Sequence, residues 1–460
     1  MSESRLSTLD ASFLEVESPS AHMHVGWAAA FDAPPGRPPP SFEQLRDHVS
    51  GRLSRAPRYR QKLANVPLGV NDPVWIDDEQ FDLDRHLHHS PSPELGRLTD
   101  RVMSRQLVRD RPLWELWIAD RLADGRIGVV GKAHHAMADG LAAVELATLL
   151  LDPTPEPPAP DRDRWLPDRR PEPAALLADG LIDRARDALD LATVPFAIAR
   201  RPRRLVSRAG KAVQSAAALV DSMRPATPGT GFNEPISPRR HLGRARRPLA
   251  DLKRVKRRWG ATVNDVVLAA AAGATRRFME RRGQSPMKLK AMVPVSLRSE
   301  HGAGELGNQI SFVFVDLPCD EPDPRARLAG LKESVGARKR SGRPEGADRA
   351  LKAFGYAPRA VQRLLSHLAA SPRAFNLVVS NIPGPREPLY MLGCELAEVY
   401  PVVPLADGHA VSIGMTTIKD EAFFGIYADR ESLPDADALA ECLDESLDEL
   451  LALDHGARNA

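Results

Sequence analysis

The spacing of hydrophobic positions changes period along the chain, and each change predicts an element. In the first half, FEQLRDHVSGRLSRA (42–56) and LTDRVMSRQLV (98–108) space their apolar residues as one helical face. LWELWIADRL (113–122) alternates instead, with Trp114, Leu116 and Ile118 on one side, and reads as a strand with a buried face. RIGVVGKA (126–133) is a second strand. In the second half TVNDVVLAAAAGATRRFMERRG (262–283) predicts a helix with Thr262 as N-cap and Asp265 completing a capping box. KLKAMVPVSL, QISFVFVDL, FNLVVS, AVSIGMTTI and AFFGIYA read as strands. DADALAECLDESLDELLALD reads as a closing helix with one apolar side and one acidic, solvated side.

Strands and helices recur in both halves without strict alternation, which favours mixed-sheet α/β sandwiches over a barrel or a doubly wound sheet. At 460 residues the chain exceeds the size at which one core stops growing, so two domains are expected. DPTPEPPAPDRDRWLPDRRPEPAA (152–175) is too rich in proline and charge to pair or coil. It opens a connector, helical in composition but broken at Pro195 and Pro202, that ends in the loop RPATPGTGFNEPISPRR. The expected organisation is 1–151, a connector over 152–240, and 241–460.

Composition narrows the function classes. A net charge of +2 gives no case for nucleic-acid binding. Cys319, Cys394 and Cys442 form no CxxC pair, which argues against a disulfide framework or a structural zinc site and suits a reducing cytoplasm. The N-terminal stretch lacks the basic-then-apolar order of a signal peptide, and VVLAAAAGA is too short to span a bilayer, so membrane contact is expected to be peripheral.

Candidate chemistry concentrates in KAHHAMADGLAAVEL (132–146), between a strand and a helix. Adjacent side chains near a strand end point to opposite sides, so His134 and His135 divide their roles, one facing a cleft and the other packing. A zinc site would need more ligands than these; DRHLHHS, with His86, His88 and His89, reads more simply as a polar loop, and no metal is expected. No G-x-S-x-G elbow is present, which leaves a lone histidine as general base. Asp139 can cap the following helix or pair with an arginine, and Gly140 relieves crowding at the turn. HxxxDG is short, and by itself leaves catalytic and structural readings open.

HHAMADG resembles the HHxxxDG signature of the bacterial wax ester synthase/diacylglycerol acyltransferases, relatives of chloramphenicol acetyltransferase and of peptide-synthetase condensation domains. LSTLDASFLEVESPSAHMHVG, PLWELWIADRL, NDVVLA, VPVSLR, LGNQISFVFVDLP, SNIPGPREPLY and YPVVPLADGHAVSIGMTT with FGIYADR resemble the family's other blocks, in its order. The resemblance covers about residue 5 to about 450 and is poorest over 152–240. It implies two chloramphenicol acetyltransferase-like domains with a substrate tunnel between them. It also implies fatty acyl transfer from acyl-CoA, a co-substrate with no further cofactor, to diacylglycerol or a long-chain alcohol. His135 is then the general base, His134 its supporting neighbour and Asp139 mainly structural.

Attack on a thioester builds charge on its oxygen, so a donor is needed opposite His135. Asn264, in a helix's first turn, can supply a side-chain amide, or can instead cap the helix with Asp265; Ser380 and Asn381, before a turn, are weaker candidates. Trp114 and its neighbours Pro112, Leu113 and Glu115 are better explained as a buried strand, and Gly307 and Asn308 as a supporting loop. GAGELG fits the dinucleotide fingerprint but precedes a strand, so a basic groove is the expected holder of CoA. Between Phe196 and Arg224, seven basic residues interleaved with apolar ones suit an anionic membrane or lipid droplet, a solvated helix, or the CoA phosphates. Two other readings stay open: the same fold with another acceptor or an acyl-carrier-protein donor, and a non-catalytic lipid-droplet protein.

Overall fold

The computed structural model describes residues 5–34, 36–137, 150–158, 163, 165–199, 225–296, 310–340 and 359–453. Among them the strands are β1 (His24–Asp32), β2 (Gln61–Ala64), β3 (Val74–Asp77), β4 (Leu87–His89), β5 (Trp114–Ala119), β6 (Ile127–His134) and β7 (Arg240–Pro248). They continue as β8 (Leu289–Ser296), β9 (Ile310–Leu317), β10 (Leu377–Ile382), β11 (Tyr390–Met391), β12 (Cys394–Val402), β13 (Val411–Ile418) and β14 (Glu421–Asp429). The helices are α1 (Thr8–Val16), α2 (Phe42–Ser50), α3 (Leu95–Met103), α4 (Pro173–Ala199) and α5 (Leu249–Trp259). They end with α6 (Val263–Arg281), α7 (Pro324–Arg340), α8 (Arg359–Ala369) and α9 (Ala436–Ala452).

Among the described residues two six-stranded sheets form, ordered β11-β12-β1-β6-β5-β4 and β7-β14-β13-β10-β8-β9, beside a β2-β3 ribbon. Both are mixed, as the irregular alternation of elements predicts: β4 runs parallel to β5, and β10 parallel to both β8 and β13. Sheet membership does not follow the chain halves. β12 pairs antiparallel with β1, from Gly26 opposite Val402 to Asp32 opposite Glu395.

Each sheet carries its own apolar core. In the first, Trp114, Leu116 and Ile118 are fully buried, as their alternation demands. In the second, α6 runs through the core with Val266 to Ala272 inaccessible to solvent. That run is apolar because it packs on protein on every side, and no helix of the described residues is long and apolar enough to cross a membrane. Gly273 lets α6 approach α9 closely: a Cβ there would lie 2.1 Å from Ser446 Oγ.

Four local expectations are corrected. The helix expected over 42–56 stops at Ser50, where Gly51 follows, and the chain then tightens into 3₁₀ turns. The connector helix continues through Pro195 to Ala199, since one proline deletes a single backbone donor and interrupts one rung of the ladder. The acidic side of α9 is not merely solvated. Asp444 and Asp448 take Arg247 at 2.9 and 2.8 Å, Glu445 takes Arg281 at 2.6 Å, and Glu449 takes the buried Arg327. His86 does lie in a turn, before β4, but it is buried, with its ring between Phe81 and Trp114, while His88 and His89 lie on β4.

Candidate active site

β1 and β6 are antiparallel neighbours, and their register sets His24 opposite His134. His134 is the last residue of β6, so the strand runs one residue further than its apolar pattern. Its backbone N–H donates to the Leu113 carbonyl at 2.9 Å, and that of His135 donates to the Met23 carbonyl at 2.9 Å. A turn follows, closed by the Met137 N–H on the His134 carbonyl at 2.9 Å. The two rings differ in exposure: His134 is buried, and His135 is half-buried.

His134 Nδ1 accepts the Ala136 N–H at 3.0 Å, which in the neutral ring leaves the proton on Nε2. Nε2 faces the Glu17 carboxylate at 3.6 Å, with both side chains 1% exposed. Arg109 Nε also donates to Glu17, at 2.8 Å. Burial pushes the Glu17 carboxyl up, but His134, then Gln106 and Arg109, outweigh it and hold the group at about 2.

His135 stacks flat on Phe13, with ring centroids 3.7 Å apart and planes 15° apart. Its Nδ1 is buried without a hydrogen-bond partner among the described residues. Burial first, and the nearby His134 second, lower its pKa to about 4, so the ring is a neutral base at ordinary pH. Behind the pair lies a buried polar layer. Burial and Lys132 push His24 well below the usual histidine value, and its Nε2 accepts the Leu107 N–H at 3.2 Å. Lys132 donates to the Val102 and Arg105 carbonyls at 3.1 and 2.8 Å and lies 3.2 Å from Glu115.

The other candidates lie on other elements, α6, β10 and β5. Thr262 and Asp265 form the expected capping box at the start of α6: the Asp265 N–H donates to Thr262 Oγ1 at 3.2 Å and the Thr262 N–H to Asp265 Oδ2 at 2.8 Å. Asn264 takes no part in that cap, which removes its alternative reading; it is half-buried, and among the described residues no hydrogen bond joins it to His135. Ser380 and Asn381 sit within β10, opposite Gly414 and Met415, ahead of the turn. Trp114 is structural, its indole N–H held by the Tyr59 carbonyl at 2.8 Å. Asp139, Gly140, Gly307, Asn308 and the basic stretch 200–224 lie outside the described residues. Among the described residues no group of His, Cys, Asp or Glu is gathered to hold a metal ion.

A cavity of about 430 Å³ opens between α3 and β7, lined by Arg97, Arg101, Arg239, Arg240 and Arg430 with Asp100 and Ser104. His135 does not line it. Sequence reasoning did not single out Phe13, Glu17 and His24. The available signal was the four-residue spacing of Phe13 and Glu17 in ASFLEVE and the alternation of His22 and His24.

Known proteins resemble the chain over nearly its whole length. The wax ester synthase/diacylglycerol acyltransferase catalytic domain matches residues 6–267, and the C-terminal domain of the same family matches 306–451. Two probable diacylglycerol O-acyltransferases of Mycobacterium tuberculosis are similar to it. One is 33% identical over 96% of this chain and 97% of its own, the other 31% identical over 97% and 96%. Among solved structures, a wax ester synthase/diacylglycerol acyltransferase from Marinobacter aquaeolei superposes with a TM-score of 0.68 at 25% identity, over 97% of this chain and 98% of that one. The first condensation domain of the calcium-dependent antibiotic synthetase shares the fold at 14% identity and TM-score 0.55, over 98% and 96% of the two chains. Two linked matches in the right order, on a fold held in common with a solved member, make this chain a member of the wax ester synthase/diacylglycerol acyltransferase family, and thereby an acyltransferase.

Proposed function

We propose that this acyltransferase moves a long-chain fatty acyl group from acyl-CoA to the hydroxyl of diacylglycerol, and of long-chain alcohols, in one ternary complex. The observation that carries this reading is the half-buried, neutral imidazole of His135 on a turn fixed by two strands. Its ring takes the hydroxyl proton as the oxygen attacks the thioester carbon, and returns it to the departing CoA thiolate, so no acyl-enzyme forms. The Asn264 amide serves as donor to the oxyanion. The five-arginine cavity suits the phosphates of a CoA thioester, and the names carried by the mycobacterial relatives favour diacylglycerol as acceptor. With both acceptors poorly soluble, the protein works at a membrane or lipid-droplet surface as a peripheral protein.

The test is incubation with palmitoyl-CoA and competing diacylglycerol and hexadecanol, with lipid separation and thiol release both followed. Triacylglycerol is expected to dominate, and His135→Ala to lower thiol release by about 10² to 10⁴. An acylated protein trapped in a single turnover, or a His135→Ala protein with near-normal rate, overturns the mechanism. Neither ester formed would favour a carrier-protein donor or another acceptor.

A further inference from the structure

α1 reaches the two histidines with two side chains four residues apart, on one helical face. Phe13 lies against His135, and Glu17, the residue that ends the helix, faces His134. We propose that α1 is the positioning element of the histidine turn, and that Glu17 is a positioning residue acting through His134 on the aim of His135. The proposal rests on His135 being the general base.

A neutral imidazole carries its proton on either nitrogen, and only the Nε2–H form lets Nδ1 accept the Ala136 N–H. A carboxylate facing Nε2 favours that form. The accepted N–H belongs to the residue just after His135, so the tautomer of one histidine fixes the backbone that carries the other. Phe13 holds the plane of the His135 ring by stacking on it. Arg109 binds Glu17 and also the Leu14 carbonyl of α1 at 3.1 Å, tying the carboxylate to the helix that presents it. Glu15 of the same helix meets Arg363 of α8 at 3.2 Å, which anchors α1 to the second half of the chain.

Stability alone does not account for Glu17. Its second oxygen is buried with no hydrogen-bond partner among the described residues, as is His134 Nε2. Structural carboxylates that are buried normally satisfy both oxygens, because an unmet one is costly. His134 is itself shut off from solvent and so is no second base.

The full-length protein is tested as Glu17→Gln and Glu17→Asp beside His135→Ala, with palmitoyl-CoA and diacylglycerol. Glu17→Gln is expected to lower kcat about 10- to 100-fold, the cost of a small misplacement of a catalytic group, with both KM values within about threefold. Its thermal midpoint stays near that of the parent protein, the nitrogen shifts of the His134 ring move, and Glu17→Asp recovers part of the rate. A folded Glu17→Gln protein with parental kcat, or a loss confined to KM, overturns the proposal. If that variant does not fold, Arg109→Ala frees the carboxylate from the surface side; a kcat drop of about 3- to 10-fold at constant KM supports the proposal, and parental kcat overturns it. An inactive His135→Ala with a normal Glu17→Gln removes only the positioning role, whereas an active His135→Ala removes the base reading and this one with it.

Discussion

His135 is charged only in acid, and with His135 as the proposed general base this sets the expected pH behaviour of the site. Its imidazolium is disfavoured by burial and then by His134, which places its pKa at about 4 instead of the ordinary 6.5. The acid limb of kcat/KM is therefore expected near pH 4, with the plateau holding to about pH 5. A pH–rate profile bending near 6.5 would refute this. Stability shifts the same way. Between pH 6.5 and 4 the unfolded chain binds a proton here and the folded one does not, so the contribution is complete above 6.5 and is lost as pH falls toward 4. His409, also held at about 4 mainly by burial, adds to that loss. That His134 and His135 differ in surroundings was legible, because adjacent residues at a strand end rarely share an environment. Glu17 was not, because nothing in its own neighbours announces an imidazole from another element.

Among the elements, α6 matches its sequence most closely. Thr262→Ala removes the acceptor for the Asp265 N–H and is expected to cost about 1 kcal/mol, or about 2 to 4 °C in thermal midpoint. The buried body of the helix persists, so circular dichroism should barely change. If Asn264 in that first turn is the oxyanion donor, kcat falls together with the cap; an unchanged kcat assigns Asn264 elsewhere. β7, by contrast, reads RHLGRARRP, and its arginines hid a strand. It is a strand because β14 pairs with it along its whole length and because the acidic side of α9 takes Arg247. β1 was hidden by a run of alanines and β12 by a weak alternation; each gains its identity from the other.

For the whole molecule, a charged seam joins the two halves. His241 of β7 lies between Asp100 of α3 at 2.8 Å and Asp437 of α9 at 3.0 Å, and Arg430 reaches Asp100 at 3.4 Å. The hydrogen bond to Asp100, against the opposing effect of burial and with help from Asp437, raises His241 to about 9. Between pH 6.5 and 9 the folded protein holds a proton that the unfolded chain has released, so this contribution is full below 6.5 and is lost as pH rises through about 9. Thermal midpoints are expected to fall more between pH 6.5 and 9.5 in the parent protein than in His241→Gln. Parallel declines would show that the bridge adds nothing.

The sequence by itself determined what short range can encode. Periodicity marked the mixed α/β class, the buried face of β5 and the body of α6; a four-residue signature marked its cap; and strand alternation gave the two histidines different surroundings. Only the tertiary structure decided which strands share a sheet, that α9's acidic face meets arginines, and that α1 brings Phe13 and Glu17 to the histidine turn. Those outcomes depend on burial and charge between residues far apart in the chain, where the energy of a contact is set by distance in space and leaves no local pattern to read.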